Sequence, residues 1–119
     1  MPEPNPRLHV DTEDGVTVVT LADRKILDEI NIAQIGEQLN ALAAQGAGPK
    51  IVLNFASVGH MSSSALGMLI TLHKRVREKK GELRLCSIQP AIYEIFVITR
   101  LNEIFQILPS REEAIASFR

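Results

Sequence analysis

The sequence predicts an α/β fold: one domain with a mixed, mostly parallel β-sheet, an N-terminal hairpin and about four helices. Three observations carry that prediction. Short β-branched runs flank "EDG" at 13–15, the nearly continuous apolar run "KIVLNFASV" starts at residue 50, and strand-like and helix-like stretches alternate from there to the C-terminus. Such alternation lays helices over a parallel sheet through right-handed crossovers.

The first six residues, "MPEPNP", hold three of the six prolines, so residues 1–7 are expected to form an extended lead-in and 8–119 the domain. "RLHVDTEDGVTVVTL" then reads as a hairpin, because Gly15 offers the positive φ of a tight turn. In "ADRKILDEINIAQIGEQLNALAAQGAGP", Ile32, Ile35, Leu39 and Leu42 share one helical face, Asn31 and Gln34 have capping-box spacing, and "GAGP" stops the helix. "KIVLNFASV" is the expected central strand, since it is apolar on both faces.

A second helix is expected from Ser63 to about Lys80, with Leu66, Leu69, Ile70, His73 and Val76 on its apolar face and Gly81 closing it. Lys74, Arg75, Arg77, Lys79 and Lys80 lie near its C-terminal end, where cations compensate the helix dipole. "ELRLCSI" is a further strand, Pro90 opens a short helix with Ile92, Ile95, Phe96 and Thr99 at helical spacing, and "IFQIL" is a last short strand. Ser110 with Glu113 three residues on caps a terminal helix.

Composition narrows the function classes. A chain of 119 residues, 45% hydrophobic and 23% charged with a net charge of −1, lacks the basic excess of a nucleic-acid binder. No window approaches the roughly 18 apolar residues of a membrane span, so no direct membrane insertion and a cytoplasmic location are expected. The single Cys86 reads as a small buried hydrophobe.

The three histidines, His9, His60 and His73, fall in separate elements, so neither a metal site nor a cofactor is expected; His73 reads as partly buried and hydrogen-bonded. "GHMSSSALG" has neither the glycine and lysine spacing of a phosphate loop nor the G-x-S-x-G of a hydrolase elbow. His60 near Ser63 without an orienting carboxylate is weak support for nucleophilic catalysis, so no catalytic residue is assigned and the chain is read as a non-enzyme. What remains is position. A serine opening a helix just after a buried strand stands at the carboxyl edge of the sheet, where another protein can reach it. Phosphate added there meets free helix amides that tolerate it, while its charge opposes an apolar or acidic partner.

The stretch "IVLNFASVGHMSSSALGMLITLHKRVREKKGELRLCSIQPAIYEIFVITRLNEIFQI" resembles the STAS domain of bacterial anti-sigma factor antagonists, whose pattern is "hVLDLSxVxFMDSSGLG" followed by "GGxLxLxxxxPxVxxxFxxxxLxxxF". The resemblance runs from about residue 16 to the C-terminus. It implies a regulatory protein that binds an anti-sigma factor acting also as a serine/threonine kinase, is inactivated by phosphorylation, and has a serine phosphatase as a further partner. The implied phosphoacceptor is Ser63. The implied partner-binding residues are Asp28, from the family's "GELD" segment, with His60, Met61, Ser62, Ser64, Ala65, Leu66 and Gly67. Two residues depart from the pattern: Ser62 stands where the motif has Asp, and Ala65, which would add a methyl to the contact surface, stands where it has Gly. The departure at Ser62 motivates a second reading, a phosphorylation-independent STAS scaffold or subunit of a stressosome-like or lipid-transport complex.

Overall fold

The computed structural model describes residues 8–21, 25–26, 29–44 and 48–118, with 25, 26, 29 and 30 described by backbone alone. The expected lead-in at 1–7 lies outside these residues. Strands β1 (Leu8–Glu13) and β2 (Val16–Leu21) form the expected hairpin. Its turn residues Asp14 and Gly15 have φ of 54° and 78°, the pair of positive values that a type I′ turn needs to follow the twist of the strands.

Strands β4 (Lys50–Asn54), β6 (Glu82–Cys86) and β7 (Gln106–Leu108) join the hairpin in a sheet ordered β1-β2-β4-β6-β7. The β1–β2 pair is antiparallel and the others are parallel, so the mixed, mostly parallel sheet is as expected, with β4 at its centre. Helices α1 (Glu29–Ala43), α2 (Ser63–Glu78) and α3 (Pro90–Ile98) contribute to a core with Val19, Leu21, Ile51, Leu53, Leu83 and Leu85. The alternate side chains Val16, Val18, Val52 and Cys86 pack with Ala114 and Ile115 of α4 (Arg111–Ala116). Strand periodicity thus sorts each residue to one of two layers.

Several boundaries differ from the sequence expectations. Helix α1 starts at Glu29, so Asn31 is its third residue rather than its cap. Leu72, off the expected stripe, is fully buried on α2, while Ile70 and His73 are half-buried. Helix α2 ends at Glu78, and the left-handed residue after it is Lys80, with φ of 63°, rather than Gly81. The Gly81 amide reaches the Val76 carbonyl at 2.8 Å and the Lys80 amide reaches Arg77 at 2.9 Å, the two bonds of a Schellman ending. Gly81 is needed for space, because a Cβ there would stand 2.3 Å from the Pro49 carbonyl oxygen.

Further along, Leu101–Glu103 form a single 3-10 turn before β7. Pro90 opens α3 and the Ser110 hydroxyl accepts from the Glu113 amide at 3.2 Å, both as expected. Two short strands were not foreseen: β3 (Lys25–Ile26) and β5 (His60–Met61) pair in parallel, Lys25 beside His60 and Ile26 beside Met61. They join the segments that lead into α1 and α2.

Candidate functional site

The serine run is positioned by a sequence of anchors that starts at the end of the central strand. Asn54 accepts the Ala56 amide on its Oδ1 at 2.9 Å, turning the chain out of β4. Phe55 and Val58 are fully buried, and the Phe55 amide bonds the Cys86 carbonyl at 3.0 Å, so the turn is fixed to both the core and the neighbouring strand. From the surface side, Gln89 donates its Nε2 to the Ala56 carbonyl at 3.0 Å. β5 then pairs with β3, and Met61 packs half-buried against the core.

Ser62 is the N-cap of α2, extended at φ −93° and ψ 169°, with its hydroxyl accepting from the Ala65 amide at 3.3 Å. Three serines that could each have capped the helix are thereby told apart. Ser63 and Ser64 are the first two helical residues, and both are exposed. Among the described residues the Ser63 hydroxyl has no hydrogen-bond partner, and the first turn of α2 holds no acidic residue. Its free amides and the positive end of the helix dipole favour an anion there.

The other residues of the expected partner surface separate into two groups. His60 and Gly67 are exposed and Met61 is half-buried, so they share the outer surface with Ser63 and Ser64. A Cβ on Gly67 would meet nothing within 4 Å, and Thr71 one turn on bonds back to the Gly67 carbonyl at 3.1 Å. This leaves a small, polar strip along α2 that another backbone can approach closely. Ala65 and Leu66 point inward and are buried, which corrects the expectation that the Ala65 methyl enlarges a contact surface. Asp28 lies outside the described residues.

The braces Asn54 and Gln89 and the β3–β5 pair escaped sequence reading. Asn54 was open to it, since Asn at a strand end is a turn signal; a two-residue strand has too few positions to show alternation. Among the described residues no group of three His, Cys, Asp or Glu is placed to hold a metal, and no helix is long and apolar enough to cross a membrane.

A mostly parallel sheet opened by a hairpin, with a capped serine-bearing helix at its carboxyl edge, defines a compact α/β module. The chain belongs to the STAS domain family, whose model matches residues 7–114. The Bordetella bronchiseptica protein BtrV, which carries the name of an anti-sigma factor antagonist, is 30% identical over 113 residues, 95% of each chain. An anti-sigma-factor antagonist (STAS) domain protein from Planctomyces limnophilus superposes with a TM-score of 0.85 at 24% identity, covering 92% of this chain and 96% of that one. The Bacillus cell fate determinant SpoIIAA in its phosphorylated form superposes with a TM-score of 0.72 at 21% identity, over 94% of this chain and 99% of that one.

Proposed function

We propose that the chain is an anti-sigma factor antagonist, non-enzymatic, whose binding to an anti-sigma factor is switched by phosphorylation of Ser63. The observation that carries this reading is the division of labour in the serine run. Ser62 satisfies the helix terminus, and the adjacent Ser63 hydroxyl is exposed, with no hydrogen-bond partner among the described residues. Asp28, His60, Met61, Ser64 and Gly67 are the proposed partner contacts, with the anti-sigma factor acting as the serine kinase and a phosphatase resetting the switch.

In the transfer, the Ser63 Oγ attacks the γ-phosphorus of ATP, the bond to the ADP oxygen breaks, and the hydroxyl proton passes to a base on the kinase. The resulting dianion sits at the positive end of α2, which tolerates it within the domain. The same charge repels an acidic or apolar partner surface, so the domain stays folded while binding is lost. Ser62 takes over the capping role open to the motif's Asp, since Ser and Asp cap about equally well. Ser at this position also lacks the carboxylate that the motif's Asp would set beside the phosphate, and the first turn of α2 holds no acidic residue.

Incubation with the cognate kinase and ATP followed by peptide mass spectrometry is expected to place one phosphate on Ser63 and none on the S63A variant. S63A should bind the partner normally and S63D should lose binding. A phosphorylation-independent scaffold or assembly subunit instead predicts that S63D binds as wild type and that no stoichiometric phosphate appears.

A further inference from the structure

Among the described residues β1 pairs only with β2, so the sheet ends in a six-residue strand whose outer backbone groups are open. Edges of this kind recruit other strands unless proline, a bulge or charge blunts them. "LHVDTE" contains no proline, its register with β2 runs unbroken over six pairs, and its two carboxylates, Asp11 and Glu13, lie beside Arg111. At its middle, Val10 is left 49% exposed. Beside it Leu8, Val10, Gln38, Ala41 and Leu42 line an open groove of about 270 Å³ between β1 and α1. The buried Gln38 Oε1 has no hydrogen-bond partner among the described residues.

The pattern of side chains on this edge selects its occupant. Register with β2 puts Leu8, Val10 and Thr12 on the α1 face, and His9, Asp11 and Glu13 on the α4 face. Two copies related by a two-fold axis normal to the sheet keep their faces aligned, so residues of like parity must meet. Centring the axis on Val10 sets Val10 against Val10, His9 against Asp11 and Leu8 against Thr12 of the second copy. Moving it to Asp11 would oppose two carboxylates, and moving it to His9 would oppose two imidazoles and shorten the pairing. Asp11 is available for the contact: its carboxylate is 63% exposed and 3.8 Å from Arg111, which lies closer to Glu13 at 3.2 Å.

We infer that the β1 edge docks a second copy of this chain by antiparallel β1–β1 pairing centred on Val10, joining two five-stranded sheets across the axis. The two α1 helices then flank the axis and close the groove over the paired valines, with Ala41 allowing close approach. A strand about 20 Å long buries less than an obligate interface does, so the dimer is reversible and populated at high concentration. No residue of this edge belongs to the serine surface, and the two proposals stand or fall separately.

Sedimentation velocity on the full chain over a wide concentration range tests it, with thermal unfolding confirming that each variant is folded. Wild type is expected to pass from monomer to dimer. V10K, which sets two ammonium groups at the axis, and H9D, which sets carboxylate against carboxylate, are both expected to remain monomeric. H9D/D11H exchanges the pair and is expected to restore the dimer. A wild-type chain monomeric throughout, a dimer that survives both single variants, or a double variant no more dimeric than H9D would each overturn the proposal.

Discussion

The hydroxyl of Ser62 accepts the amide of Ala65 at 3.3 Å, and this bond closes the first turn of the helix that displays Ser63. Removing it should cost the stability typical of an N-cap, while its neighbour should be free to change. Urea unfolding is expected to show S62A less stable by about 1 kcal/mol and S62D equal to or above wild type, since a carboxylate both caps and complements the dipole. S63A should stay within about 0.5 kcal/mol of wild type.

At the other end of α2 the expected signs are opposite for adjacent residues. Lys80 holds a left-handed conformation that disfavours any side chain, so K80G should raise stability by about 0.5 to 1 kcal/mol after the entropy of the added glycine is counted. Gly81 has no room beside Pro49, and G81A should lower stability by about 1 to 3 kcal/mol. Denaturation midpoints of the two variants, measured side by side, check both signs.

His73 supplies a pH dependence. Its ring meets Phe105 edge-on, with centroids 5.3 Å apart, and its buried Nδ1 has no hydrogen-bond partner among the described residues, contrary to the sequence expectation. Burial, then the charge of Arg77, lowers its pKa below the ordinary 6.5. Around it lie Arg77, Glu82 and Arg84, with Gln106 as the nearby amide. The unfolded chain therefore binds the proton more readily than the folded one. This contribution to stability is complete above pH 6.5 and is lost as the pH falls through that value toward the folded pKa. Unfolding free energies measured across this window should fall for wild type and show a shallower slope for H73L.

Arg84 is a charge buried within a strand, 8% exposed, and its guanidinium lies 4.1 Å from the centre of the Phe118 ring with Glu82 at 2.7 Å. Its Nε is buried without a hydrogen-bond partner among the described residues, so the charge gains less than a fully bonded one would. R84A should lose about 2 kcal/mol, mainly through lost packing of the stem, while R84M should remain within about 1 kcal/mol of wild type. Thermal melts of the pair separate packing from charge.

The layers of this fold were legible where a long period had room to repeat. Ile32, Ile35 and Leu39 announced the buried side of α1, and the apolar run from Ile51 to Leu53 announced a strand covered on both faces. Features decided by tertiary contact were not legible. Lys80 takes the turn position that Gly81 would fill by propensity, since Gly81 must admit Pro49. At the site, residue type alone lets Ser62, Ser63 or Ser64 cap the helix. Only the backbone of the first turn distinguishes Ser62, which faces inward to Ala65, from Ser63, which faces out.

The pairing of β3 with β5 holds Lys25–Ile26 beside His60–Met61, although a whole helix and a strand separate them along the chain. Under the proposed phosphorylation of Ser63, a kinase that grips both segments would find its substrate only on the folded chain. Modification would then certify that the molecule has completed folding, and the chemical mark would be withheld from every copy still unable to act.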